Sequence, residues 1–217
     1  MTARLVLATH NQGKLPELTR ILSAARVPVE LAGLRDFPGA PDVRETGATF
    51  AENALLKAQA IAEFTGLPAV SDDSGLCVDA LNGMPGVLSA RWSGGHGDDA
   101  GNLRLVLGQL GDVPDERRGA HFACSAALAL PSGREHVSDG AVHGRLIREP
   151  RGANGFGYDP IFVPDLAELA EAGLDGGPGS VLGGLTTGEL EPGIKDQISH
   201  RGKALRSLAP VIGAWCL

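Results

Sequence analysis

No stretch of the chain approaches the ~18 consecutive apolar residues of a membrane span, and residues 1–9 lack the apolar core of a secretory signal. Export and membrane insertion are therefore not expected. Cysteine is scarce and odd in number. Cys77, Cys124 and Cys216 lie in or beside apolar runs, which suits small buried thiols rather than a disulfide framework and points to a reducing cytoplasm. A basic excess is also missing. With 19 Lys and Arg against 26 Asp and Glu, the formal charge of −7 speaks against a surface built to neutralise a nucleic-acid backbone. A small anionic ligand, needing only a few local cations and a screening metal ion, stays compatible. No long linker interrupts the 217 residues, which suits one α/β domain or two lobes around one cleft. What is abundant fits a globular chain with many tight connections: 43% hydrophobic and 21% charged residues, with 31 Gly and 14 Pro.

Residues 70–79 read as an apolar strand that runs into two adjacent carboxylates, Asp72 and Asp73. A strand sends successive side chains to opposite faces, so both acids reach one site only if the strand ends between or just after them. Ser74 and Gly75 are read as that ending, at the carboxyl end of a strand, where open α/β sheets place their ligands. The same residues are also ordinary surface-turn chemistry.

Upstream, residues 5–8 form a short buried strand, followed by the polar loop Thr9, His10, Asn11, Gln12, Gly13, Lys14 and an amphipathic helix carrying Leu15, Leu18, Ile21 and Leu22. Backbone N–H groups at a helix start favour an anion, and Lys14 adds a full charge, so a phosphate site and a solvated loop both fit. The Walker spacing is absent. A second strand at 29–32 leads into a Pro- and Gly-rich loop containing Arg44, Glu45, Thr46 and Gly47. Thr49 and Glu52 then have capping-box spacing, opening a helix whose apolar stripe is Ala54, Leu55, Ala58, Ile61 and Ala62. Lys57 lies off that stripe, either solvated or reaching into a cleft beside Glu45.

A helix is expected at about 100–110, and strand-like runs at 120–130 and 135–147 around a turn make a hairpin, which after βαβ units indicates a mixed sheet. In residues 152–162, three glycines surround Phe156 and Tyr158, so backbone can approach a ligand while two rings stack on it. Aromatic plugs in a Gly-rich turn fit as well. A short helix is expected at 166–174, then a flexible Gly-rich excursion at about 175–193, then Lys195. Ser199 is positioned to cap a final helix, which Pro210 kinks or ends.

Five ordered segments match one pattern: Thr9-x-Asn11-x-x-Lys14, Phe50-x-Glu52-Asn53-Ala54-x-x-Lys57-Ala58, Asp72-Asp73-Ser74-Gly75-Leu76, residues 155–160 and Ser199-His200-Arg201. On these the chain resembles the inosine triphosphate pyrophosphatase (Ham1-like) family over nearly its whole length. The resemblance implies one nucleotide pyrophosphatase domain over 1–217, built as an elongated mixed β-sheet flanked by helices, with two lobes around a central cleft. It implies a homodimer that hydrolyses ITP, dITP and XTP to the monophosphate and pyrophosphate with one or more Mg²⁺ ions per site.

Carried onto this sequence, Asp73 matches the catalytic base. Glu45 and Asp73 match metal-associated acids, with Asp72 as a supporting or second-metal ligand. Residues 9–14, Lys57 and Lys195 match triphosphate contacts, while Ser74, Phe156, Gly157, Tyr158, Asp159, His200 and Arg201 match positions around sugar and base. The chemistry is consistent. An aspartate of pKa ~3.9 is a poor base toward bulk water but an adequate one toward metal-bound water. Arg201 can only donate hydrogen bonds, which suits a 6-oxo purine over adenine; guanine shares that group, so its exclusion involves the 2-position. Departures are the lengthened 165–195 segment and Arg44, where another acid is usual. The alternatives are a nucleotide-binding sensor with little turnover, or a Maf-like pyrophosphatase for modified pyrimidine nucleotides.

Overall fold

A computed structural model describes residues 3–9, 11, 13–177 and 179–217. The strands are β1 (Ala3–Leu7), β2 (Val29–Gly33), β3 (Ala69–Val78), β4 (Gly119–Ala129), β5 (Glu135–Leu146) and β6 (Phe162–Pro164). The helices are α1 (Lys14–Ala24), α2 (Phe50–Thr65), α3 (Asp99–Gln109), α4 (Leu166–Glu171), α5 (Pro192–Ile198) and α6 (His200–Cys216). Among the described residues, the strands form one sheet in the order β2-β1-β3-β4-β5-β6. β1 pairs parallel with β2 and with β3, whereas β5 pairs antiparallel with β6. The sheet is therefore mixed and carries helices, as expected.

The chain forms two compact units. The first comprises Met1–Asp73, Cys124–Gly140 and Arg201–Leu217; the second comprises Ser74–Ala123 and Ala141–His200. In the first, strand alternation divides the core cleanly. Leu5, Leu7 and Val70 pack with Leu18 and Leu22 of α1 and Leu205, Leu208 and Ile212 of α6. Val6, Ala8 and Ala69, on the other face, pack with Ala54, Ala58, Ile61 and Ala62 of α2. That stripe is mostly alanine, so α2 lies close to the sheet and its flanking polar residues reach strand side chains.

Thr49 Oγ1 accepts the Glu52 N–H at 3.1 Å, the expected cap, while Glu52 Oε2 accepts from Ala48 N–H at 2.6 Å, one residue earlier than a reciprocal box requires. Gly66 ends α2 in the left-handed region at φ 66°.

The second unit packs Leu76, Val78, Leu103, Val106, Leu110, Leu146, Ile161 and Phe162 together. A smaller cluster joins Leu169, Leu190 and Ile198.

One expectation needs correction. Ser74 and Gly75 do not end the strand, because β3 runs through both to Val78. Gly75 is needed for close packing rather than for a turn: a Cβ there would fall within contact distance of Ser89 Oγ and the Gly86 carbonyl. Of the two alternatives for Pro210, α6 excludes the ending, since it continues to Cys216, and leaves the kink. The 175–193 stretch is anchored at its far end, where Thr186, Thr187 and Leu190 are buried and α5 begins with Pro192 at its first position, a favoured place for proline.

Candidate active site

Because β3 is continuous at its two acids, Asp72 and Asp73 face opposite sides of the sheet. Asp72 shares the side of Val70 and meets the start of α1 and the first turn of α6. Lys14 Nζ donates to Asp72 Oδ1 at 3.0 Å and Oδ2 at 2.8 Å, and Arg201 Nε donates to Oδ2 at 3.0 Å. Arg201 also lies 3.8 Å from Glu17. Burial by itself pushes the Asp72 carboxyl up. The charges and hydrogen bonds of Lys14 and Arg201 outweigh that and hold it well below the usual carboxylate range. Asp72 therefore ties two cations of distant segments together.

Asp73 shares the side of Ala69 and Ser71, facing α2; the Ser71 hydroxyl donates to the Ala54 carbonyl there. Asn53 Nδ2 donates to Asp73 Oδ2 at 3.0 Å, and Lys57 Nζ lies 3.7 Å from Oδ1 while donating to Glu45 Oε1 at 2.7 Å. Lys57 thus reaches Glu45. One ammonium stands between two carboxylates that belong to different segments. Glu45 and Asp73 are hard oxygen donors already gathered around a cation, which fits an ion that takes one or two carboxylates plus phosphate and water. Among the described residues, no group of three or more His, Cys, Asp or Glu side chains is arranged to hold a metal.

In the loop before α1, Asn11 Oδ1 accepts the Gly13 N–H at 2.9 Å and Thr9 Oγ1 accepts the Asn11 N–H at 3.2 Å. These side-chain turns leave Lys14 at the first position of α1, directed at Asp72. His10 and Gln12 lie outside the described residues.

The second unit gathers another group around Asp159, which is buried. Its Oδ2 accepts from Phe156 N–H at 2.8 Å and Lys195 Nζ at 2.5 Å, and its Oδ1 accepts from the Thr187 hydroxyl at 2.8 Å. Asp159 fixes the loop and the lysine together. Gly155 and Gly157 have φ of 80° and 60°, and a Cβ at Gly155 would run into Asp159 and Lys195, so glycine is required there. The outcome for the two rings differs. Phe156 is 66% exposed with Lys195 Nζ 5.4 Å from its ring centroid, whereas Tyr158 is buried and donates its hydroxyl to the Ser89 carbonyl at 2.8 Å. Tyr158 is a core residue and not a stacking platform, a correction to the paired-ring expectation; burial and then the Asp99 charge push its phenol up.

Phe156 also lines a cavity of about 430 Å³ with Asn154, Pro160 and the Asp99, Leu103 and Arg104 side of α3. His200 stacks on Phe122, with centroids 5.1 Å apart and planes 13° from parallel. Ser74 is half-buried on β3.

Phe122 and Asn53 are among the residues at these sites to which the sequence assigned no role. Asn53 leaves one local signal, a polar residue of modest helix propensity beside an alanine stripe. Phe122 leaves none, since its contact to His200 joins distant segments.

Residues 5–211 match the model of the Ham1 family. A Streptomyces coelicolor protein named dITP/XTP pyrophosphatase is 56% identical over 209 residues, covering 96% of each chain. A Nocardia farcinica protein of the same name is 54% identical over 213 residues, covering 98% of this chain and 96% of that one. Among solved structures, the nucleoside-triphosphatase / dITP/XTP pyrophosphatase of Mycobacterium abscessus matches with a TM-score of 0.74 at 51% identity, over 95% of this chain and 99% of that chain. A HAM1 protein from Coxiella burnetii matches with a TM-score of 0.82 at 39% identity, over 99% and 100%. Matched over nearly its whole length in sequence and in fold, the chain belongs to the Ham1 family.

Proposed function

We propose that this protein hydrolyses the deaminated purine nucleoside triphosphates dITP, XTP and ITP to the nucleoside monophosphate and pyrophosphate. The observation that carries this reading is the Glu45, Lys57 and Asp73 arrangement, in which two carboxylates converge on one cation and one of them, the strand acid Asp73, is held by a buried amide. The names of relatives at more than half identity agree with it. In this reading Asp73 accepts the proton of the water that attacks the α-phosphorus, and Lys14 and Lys57 meet phosphate charge. Phe156 offers its exposed face to the base, and Asp159 holds that loop and Lys195 in register. Arg201, a pure donor anchored on Asp72, suits an acceptor at the purine 6-position.

Glu45 and Asp73 would hold Mg²⁺. When bound, such an ion supplies phosphate neutralisation and a more acidic water. On the same reading 1–217 works as one cytoplasmic domain in a homodimer, which light scattering of the purified chain tests.

The deciding measurement is a panel of dITP, XTP, ITP, dGTP, GTP and dATP with Mg²⁺, separating pyrophosphate from phosphate release. Pyrophosphate from the first three is expected, with dATP slower by roughly 100-fold or more, the scale that a required hydrogen bond sustains, and with dGTP and GTP slower through their 2-amino group. Equal rates on dGTP, or phosphate as the product, overturn the reading.

A further inference from the structure

Asn53 is fully buried in the first turn of α2, and its amide is used at both ends inside the candidate site. Oδ1 accepts the Gly47 N–H at 2.8 Å, and Nδ2 donates to Asp73 Oδ2 at 3.0 Å. The partners fix the orientation of the amide, since a backbone N–H can only donate and an ionised carboxylate can only accept. Gly47 is packed against the same side chain. A Cβ there would stand 2.8 Å from Asn53 Oδ1 and 2.6 Å from Glu52 Cβ, so the loop can approach only as glycine. Three separate segments meet at this one amide: the loop bearing Glu45, the helix bearing Lys57 one turn further on, and the strand bearing Asp73.

We propose that Asn53 is a positioning residue for Asp73, resting on the reading that Asp73 carries the chemistry. The hydrogen bond at Oδ2 sets the rotation of the carboxylate and keeps it from closing onto Lys57, which lies 3.7 Å from Oδ1. Its other end pins the Glu45 loop at a fixed distance from that carboxylate. A residue serving only to pack α2 needs no amide, because the neighbouring stripe of Ala54 and Ala58 is apolar and a buried amide without partners is costly.

The test uses Asn53→Ala and Asn53→Asp in the full chain, with dITP turnover and calorimetric titration by a non-hydrolysable dITP analogue. Asn53→Ala is expected to lower kcat by roughly 10- to 100-fold, the usual loss when a group behind a reactive residue is removed. KM should stay within about threefold and binding at one site per chain. Asn53→Asp keeps the shape and the acceptor for Gly47 but sets oxygen against the Asp73 carboxylate, so it should be at least as slow as Asn53→Ala. A packing role predicts the reverse order, because the isosteric variant fills the space. Asn53→Asp faster than Asn53→Ala overturns the proposal, as does a kcat loss fully matched by lost binding sites. If Asn53→Ala does not fold, the volume-preserving Asn53→Asp decides, and near-wild-type kcat in it overturns the proposal. Failure of the wild type itself to release pyrophosphate from dITP strikes the functional reading instead.

Discussion

Adjacent aspartates acquire different chemistry here because one peptide step turns a side chain to the other face of a strand. Asp72 is 3% exposed at its side chain and bonded to Lys14 and Arg201, whereas Asp73 faces Asn53 and Lys57. Removing one partner from a buried ionic cluster strands the others, at a cost of ~3–5 kcal/mol. Asp72→Asn is therefore expected to lower urea-unfolding stability by roughly 3 kcal/mol. Asp73→Asn, at a more open position, should stay within about 1 kcal/mol of wild type but lose pyrophosphate release by roughly 100-fold or more, the contribution of a proton acceptor. Parallel denaturation and turnover of the two variants measure this. An Asp72→Asn protein of unchanged stability, or an active Asp73→Asn protein, refutes the division of labour. The acidic pair was legible as a candidate site only through the five-segment resemblance, since its own residues fit a surface turn as well. Its division was not, since the partners come from segments far along the chain: Lys14 is 58 residues from Asp72, Arg201 is 129, and Asn53 is 20 from Asp73.

Elements governed by local periodicity were read closely: β1, α1, α2 with its Thr49 cap, and the β4 and β5 runs joined by a turn in which Leu130 N–H bonds the Arg134 carbonyl. Elements governed by packing were not. Asp-Asp-Ser-Gly has the composition of a turn, and only the nearness of Ser89 and Gly86 shows Gly75 to be a strand residue with no room for a Cβ. The Ser89 hydroxyl also donates to the Gly86 carbonyl and accepts the Leu76 N–H, so it cannot retreat freely. Gly75→Ala is accordingly expected to cost ~1–3 kcal/mol, the usual range for overpacking, although alanine suits a strand no worse than glycine. Adding Ser89→Ala removes one of the two clashes and should recover part of that loss. Chemical denaturation of both proteins checks this. A Gly75→Ala variant as stable as wild type restores the turn reading.

At the scale of the whole molecule, three of the four chain boundaries between the two compact units fall inside strands rather than in loops, and the fourth falls at the start of α6. β3 passes from one to the other after Asp73, β4 after Ala123 and β5 after Gly140. A strand whose ladder is lost on one side of such a point leaves unpaired backbone on the other, and unpaired buried N–H and C=O groups are costly. Independent unfolding of either unit is therefore disfavoured, and cooperative loss of both is expected. The chain carries its own reporters. Trp215, under the Arg134 guanidinium at 3.7 Å, belongs to the first unit, and Trp92, whose indole donates to Gln109 Oε1 at 3.0 Å, belongs to the second. Trp92→Phe leaves fluorescence to report the first unit, and Trp215→Phe leaves it to report the second. Urea transitions of the two variants, each compared with its own far-ultraviolet circular dichroism, should coincide within each protein. A fluorescence transition displaced from the circular dichroism in either variant would mean that the shared strands do not couple the units.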